Sequence, residues 1–314
     1  MSKNFISLAA GMAMIGGVAM SDTPKVAVDI SPVHSLVSRV MLGVGTPDLI
    51  VQAGASPHGY TLRPSEAKAL QDAQMVFWMG ESLSPWMEGA LDTLSSDATI
   101  ITLLERDETI LLEFREGAMF EEHDHDDHGD EKHDDHGDHE DHGSHDPHAW
   151  LSPDNARIWL NLIASQLSIV DPENAGTYFA NAAAARSEIE ALTIEVNSLL
   201  EPIRGKKFIV FHDAYQYFEK AFDLSASGAI SLGDASKPSP ARIAEIQGRI
   251  LEESIDCVLS EPQFNKGLVA TVMAGSKAKT SVIDPLGVGL KPGPDLYSEL
   301  IRNMTKTLVD CFES

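Results

Sequence analysis

Hydrophobic positions along this chain fall into two alternating patterns: short β-branched or apolar runs, and longer stretches with one apolar stripe. Residues 25–31, KVAVDIS, carry the alternation of a strand, and Pro32 then opens a helix to about residue 42. PDLIVQ at 47–52 predicts a second strand, ending in the loop GASPHGYTLRPSE, with a helix from Pro64. AQMVFWMG at 73–80 is apolar nearly throughout, as a strand covered on both faces should be. A helix over 85–94 and a strand over 98–104 follow. Strand–helix alternation of this kind builds a parallel sheet.

The pattern resumes after residue 152, where Ser152-Pro153-Asp154 starts a helix with Ile158, Leu160, Leu162 and Ile163 along it. Residues 172–204 are rich in Ala, Glu and Leu and predict one helix of roughly 45 Å. A helix that long is most simply a rigid strut between lobes, the alternative being an ordinary packing helix. The second half then repeats the first: strands over 206–213, 224–230, 256–262 and 280–285, with helices at 214–222, 240–253, 267–278 and 295–312. The expected fold is therefore α/β, with two lobes, each holding a roughly four-stranded parallel sheet flanked by helices, joined by one long rigid α-helix. The corresponding divisions are a signal peptide at 1–21, a first lobe at 22–170, the linking helix at 171–204 and a second lobe at 205–314. Two domains agree with a chain of 314 residues, which is long for a single core.

One stretch breaks the pattern. Residues 121–153 read EEHDHDDHGDEKHDDHGDHEDHGSHDPHAWLSP and hold nine of the twelve histidines. From His133 they recur every third residue, through His136, His139, His142 and His145 to His148. So little apolar surface cannot offset the entropy of ordering, so 121–146 is expected to be a disordered loop in the first lobe. Imidazole is a good ligand for zinc, copper and nickel, and a His-rich tract is a compositional metal signal. His123, His125, His128, His133, His136, His139, His142 and His145 are thus candidate auxiliary metal ligands; a merely solvating acidic insert would not need histidine at every third position.

Charge sharpens this. The formal net charge is −25, and within 121–146 thirteen acids face Lys132 alone. Such a surface argues against nucleic-acid or anionic-membrane binding and favours cations. The amino-terminal segment has Lys3, an apolar run at 5–20 and a small-x-small site at Ala19-Met20-Ser21, the features of a cleavable secretory signal. In the oxidising compartment this implies, Cys257 and Cys311 are expected to form a disulfide, with two buried free thiols as the alternative.

Outside the loop only His34, His58 and His212 remain. Ligands in open parallel sheets bind beyond the carboxyl ends of strands. His58 lies in the loop after the second strand, His212 closes the first strand of the second lobe, and Asp284 ends the strand TSVID. His148 is the one loop histidine tied to a helix start. These four would converge on a cleft between lobes if the sheets face each other. His34 is a weaker candidate near the start of the first helix. Each also has a plain alternative: a satisfied core histidine at 212, a turn residue at 58, the last of the repeat at 148, and a turn former before Pro285 at 284.

The stretches GASPHGYTLRPSEAKAL (54–70), DPHAWLSPDNA (146–156), FHDAYQYF (211–218) and VIDPLG (282–287) closely resemble the metal-specific solute-binding proteins of ABC importers, in particular the zinc-uptake (ZnuA-type) periplasmic proteins. The resemblance covers everything after the signal, and a His/Asp-rich insert ahead of DPHAWLSP is characteristic of the zinc members. It implies zinc ligands at His58, His148 and His212, with Asp284 or water as the fourth, and a disulfide at Cys257–Cys311. It further implies a periplasmic, monomeric protein that captures Zn²⁺ and passes it to a membrane permease with its ATPase, without catalysis. The loop would then collect zinc at low affinity and hand it to the three-histidine site. Imidazole donors suit Zn²⁺ over Mn²⁺, which prefers oxygen, although manganese or another divalent metal is the alternative within the family. Since ligands must be deprotonated, affinity should fall as pH drops through about 6.5. A zinc hydrolase is the rival from another class, because three histidines and an open position also hold catalytic zinc. The chain has no H-E-x-x-H and no motif that supplies a general base.

Overall fold

A computed structural model describes residues 23–115, 120, 145–231, 238–263 and 266–313. The signal at 1–21 and the loop histidines His123, His125, His128, His133, His136, His139 and His142 lie outside the described residues.

The first sheet is built from β1 (Val26–Val28), β2 (Asp48–Leu49), β3 (Met75–Trp78) and β4 (Thr99–Thr102), all parallel, in the order β2-β1-β3-β4. The second is built from β5 (Phe208–His212), β6 (Ala229–Ser231), β7 (Cys257–Ser260) and β8 (Lys279–Val282), also parallel, in the order β6-β5-β7-β8. Both orders reverse direction at their first strand, so each sheet has its switch point beside β1 or β5. That is where a cleft opens beyond the strand ends.

Side chains on these strands alternate between two cores, as the period of two requires. Val26, Val28, Met75 and Phe77 face inward with Phe208, Val210, Cys257 and Leu259, all in one continuous cluster. Ala27, Val76 and Trp78 face outward against α2 (Pro64–Asp72) and α3 (Pro85–Leu94). Ile209, Phe211 and Val258 do the same beneath α7 (Pro240–Glu252) and α8 (Lys266–Val272). Burial on both faces explains why β3 and β5 read as unbroken apolar runs.

The inner cluster is filled mainly by α1 (Ser31–Val40), α4 (Pro153–Val170), α5 (Ala175–Leu200) and α9 (Leu296–Glu313), with Tyr217, Phe218 and Phe222 of the short helix α6 (Gln216–Phe222) added from the second half. The long helix α5 has 26 residues, about 39 Å. It is shorter at both ends than expected, because Pro172–Asn174 and Glu201–Ile203 wind as 3-10 turns. Its buried residues Tyr178, Ala182, Ala185, Ile189, Leu192, Val196 and Leu200 repeat at three- and four-residue steps, one stripe that packs on α4 and continues onto α1 and α9. The helix joining the two halves is thus also an ordinary packing helix, held along its length. Ion pairs Arg39–Glu188 (2.6 Å) and Arg302–Glu195 (2.8 Å) fasten α5 to α1 and α9 on its exposed side. On the inner side, Tyr297 N–H of α9 donates to Ser35 Oγ of α1 at 2.9 Å.

Cys257 on β7 and Cys311 on α9 form a disulfide, with both residues buried in the inner cluster. It fixes the closing helix to the second sheet, as expected. Helix α8 stops at Val272, short of residue 278, because residues 273–275 turn and Gly275 takes a left-handed φ of 82°. Among the described residues no helix is long and apolar enough to cross a membrane.

Candidate metal centre

Three segments bring imidazoles together. His58 sits in the loop after β2, whose Pro57 carbonyl accepts hydrogen bonds from Ser84 Oγ (3.0 Å) and Trp86 Nε1 (2.7 Å) at the start of α3. The loop is tied again at Tyr60, whose hydroxyl donates to Glu66 Oε1 at 2.8 Å. His148 precedes the 3-10 turn Ala149–Leu151 that leads into α4, and α4 is capped by Ser152 Oγ, which accepts from Asn155 N–H at 3.2 Å. His212 ends β5, the central strand beside the switch point of the second sheet.

Ligand nitrogens of His58, His148 and His212 all lie within 4.8 Å of one another. Among the described residues this is the one group of three or more His, Cys, Asp or Glu side chains so placed. Ring centroids are 5.4 Å apart for 58–148, 6.2 Å for 58–212 and 5.2 Å for 148–212. His148 and His212 are buried, at 4% and 3% exposure, whereas His58 is half-buried. The centre is therefore closed on the side of the second sheet and opens to solvent past His58.

Two carboxylates absent from the sequence-based site orient the buried pair. Asp146 Oδ1 lies 2.7 Å from His148 Nδ1, and Glu261 Oε1 lies 2.5 Å from His212 Nδ1. A carboxylate beside Nδ1 favours the tautomer with the proton there, which leaves Nε2 available as a ligand atom; the two Nε2 atoms lie 3.4 Å apart. Gln263 Nε2 in turn donates to Glu261 Oε2 at 2.7 Å. Burial pushes the Asp146 carboxyl up to about 6, against the His148 N–H and the positive charge of Arg115, which favour its ionised form. The D-P-H spacing of Asp146 and His148 is a local signal that could have found the first carboxylate. Glu261 had none, because it lies 49 residues beyond His212, just past the end of β7.

Asp284 is not part of the cluster. Its carboxylate accepts backbone N–H bonds from Leu286 (3.0 Å), Gly287 (2.9 Å) and Val288 (2.5 Å), the turn-former role open to an Asp before Pro285. Next to that turn, Pro285 O accepts from Trp150 Nε1 at 2.9 Å, two residues past His148. His34 is buried in α1, with Nε2 3.0 Å from Pro47 O and Nδ1 3.4 Å from Ser38 Oγ. It ties α1 to the segment before β2, and desolvation lowers its pKa. His145 is outside the cluster, paired with Glu113 at 3.2 Å.

Two facing α/β halves with a three-imidazole centre between them define a two-lobed binding protein for a borderline divalent cation. Comparison with known proteins gives the family: residues 26–311 match the profile of the zinc-uptake complex component A, periplasmic, and the chain belongs to that family. It is 46% identical over 330 residues to the high-affinity zinc uptake system protein ZnuA of Brucella abortus (strain 2308), covering 98% of this chain and 99% of that one. It is also 46% identical over 318 residues to the protein of the same name from Paracoccus denitrificans (strain Pd 1222), covering 97% and 96%. A solved structure described as the crystal structure of ZnuA superposes with a TM-score of 0.74 at 22% identity, over 92% of this chain and 99% of that chain, a likeness of fold.

Proposed function

We propose that this chain captures Zn²⁺ tightly in the periplasm, as a monomer, and delivers it to the membrane permease of an ABC importer driven by its ATPase. The zinc is cargo, held by His58, His148 and His212, with water at the fourth position and Asp284 engaged in its turn. The reading is carried by the convergence of three imidazoles, from three distant segments of one chain, to within 4.8 Å. A single chain completes the site, so no second copy is needed. An all-nitrogen donor set from neutral imidazoles favours zinc over manganese, and the buried carboxylates behind two of the rings raise ligand basicity. Auxiliary collection of zinc by the loop histidines belongs to the same proposal, as do secretion through a cleaved signal and the absence of catalysis.

Zinc titration against a competing chelator tests this. The full chain is expected to hold one tight zinc plus weaker ones, and deletion of residues 122–144 should lower the total while leaving the tight site. Loss of the tight site with the loop would refute the collector role. His148→Ala or His212→Ala should abolish tight binding, and cells lacking the protein should fail to grow in zinc-chelated medium unless zinc is restored. Tight binding that survives both substitutions would refute the three-histidine site.

A further inference from the structure

The segments that bracket residues 116–144 are not held mainly by the first sheet from which the chain has just emerged. Up to Ile110 they are: Leu103 and Leu104 N–H donate to Trp78 and Met79 carbonyls of the first sheet, and the Asn155 side chain of α4 brackets the Ile110 backbone. From Leu112 onward side chains of the second half become partners as well. Leu112 N–H donates to the hydroxyl of Tyr217 on α6 (Gln216–Phe222) at 2.9 Å, and that hydroxyl donates to Asp146 O at 2.9 Å. Asp146 N–H donates to Leu112 O at 2.8 Å, so the two segments pair with each other. The Gln216 carboxamide, in the orientation that satisfies it, donates to Asp146 Oδ2 and Glu113 O at 3.1 Å.

Arg115 closes this arrangement. Its Nε donates to both oxygens of Asp213 (3.1 and 3.0 Å), its Nη1 to Glu219 Oε2 (2.8 Å), and its Nη2 to Glu219 Oε1 (3.0 Å) and to Asp213 Oδ1. Phe120 lies against the other side of the guanidinium, 3.5 Å from ring centroid to Cζ. Asp213 and Glu219 are both buried, and Glu219 also accepts from Ala226 N–H at 2.9 Å. Asp213 is the residue after His212, and Asp146, the partner of His148, lies within reach of the Arg115 charge. A planar fork that grips two carboxylates at once fixes direction as well as distance.

We infer that Arg115 is a positioning residue of the metal centre: by clamping Asp213 and Glu219 of the second half from the segment paired with Asp146, it holds His148 and His212 as a preset pair, and His58 completes the site from the other side. The inference rests on the three-histidine reading above. It accounts for the asymmetry of the centre, in which two rings are buried and braced by carboxylates and the third is half-buried on a loop. Charge alone would act oppositely. Removing a cation near the site should tighten Zn²⁺ binding, whereas removing a clamp should loosen it.

Arg115→Met and Arg115→Lys in the full chain separate these effects, with zinc affinity and off-rate measured by chelator competition and the Co²⁺ absorption spectrum recorded, well below the unfolding temperature of each variant. Arg115→Met should weaken zinc about tenfold, mainly through a faster off-rate, and alter the Co²⁺ bands. Arg115→Lys, which keeps the charge and loses the fork, should fall between it and the unmodified chain. Zinc binding and Co²⁺ bands unchanged in Arg115→Met, even with lowered thermal stability, would reduce Arg115 to a fold contact and overturn the inference, as would tighter binding. Absence of a tight zinc in the unmodified chain would instead refute the three-histidine reading itself.

Discussion

Glu261 gives the sharpest test of how the centre is tuned. Its Oε1 lies 2.5 Å from His212 Nδ1, with its side chain fully buried. An ion on Nε2 at the usual 2.0–2.1 Å would stand about 6 Å from that oxygen. At that separation a carboxylate attracts a dication by about 1.4 kcal/mol at the dielectric constant of water and by about 5–6 kcal/mol at an effective value of 20. Glu261→Gln removes the charge but keeps an acceptor for the Nδ1–H, so the loss should lie toward the lower end of that range. Carboxylates behind metal-bound histidines typically contribute about ten- to a hundredfold in affinity, or about 1.4–2.7 kcal/mol, which falls in the same interval. Zinc affinity of Glu261→Gln is therefore expected to drop by about ten- to a hundredfold. Competition with a chromophoric chelator at neutral pH reads this, with unfolding of the metal-free protein followed alongside. Unchanged affinity in a stably folded variant would refute the claim that Glu261 tunes His212.

Replacing Cys257 and Cys311 by Ser opens a bridge that spans 54 residues. The chain-entropy account gives a stability loss of about 4 kcal/mol, readable by denaturant unfolding, with zinc affinity unchanged because both cysteines lie away from the imidazoles. Unaltered stability would refute the anchoring role given to the bridge. A third expectation concerns Asp29 at the carboxyl end of β1, which accepts from Ile30 and Met79 N–H at 2.7 Å each. Burial pushes its carboxyl up from 3.8 to about 7, against the lowering effect of those two N–H groups. Because the folded value is raised, its stabilising contribution is complete below the unfolded value and is lost as pH rises through about 7, up to about 4 kcal/mol in all. Titration of the Asp29 carboxyl carbon by NMR should show a midpoint near 7. An ordinary midpoint of about 4 would sink this reading.

The sequence by itself determined most of the elements and pointed to the three imidazoles of the candidate site. The central strands β1, β3, β5 and β7 were legible as short apolar runs, since strands covered on both faces need no polar face. The edge strands β2 and β8 are partly exposed and were placed by the strand–helix alternation around them. His58 and His212 stood out by their place after strands, and His148 by its place before a helix start; the pairing of the two cysteines was expected from the compartment that a signal would imply. Tertiary structure decided what depends on approach between distant segments. Glu261 and Arg115 carry no local signal, since an orienting carboxylate or a clamping guanidinium is defined by its partner across the fold. Asp284 follows β8 much as His58 follows β2, yet its oxygens turn to three backbone N–H groups of the following residues. The long helix was visible as a helix, but its burial along α4 depends on a stripe that has meaning only once the neighbouring helix is in place. Periodicity and composition act within a few residues of chain, whereas hydrogen bonds and metal centres join residues that only folding makes neighbours.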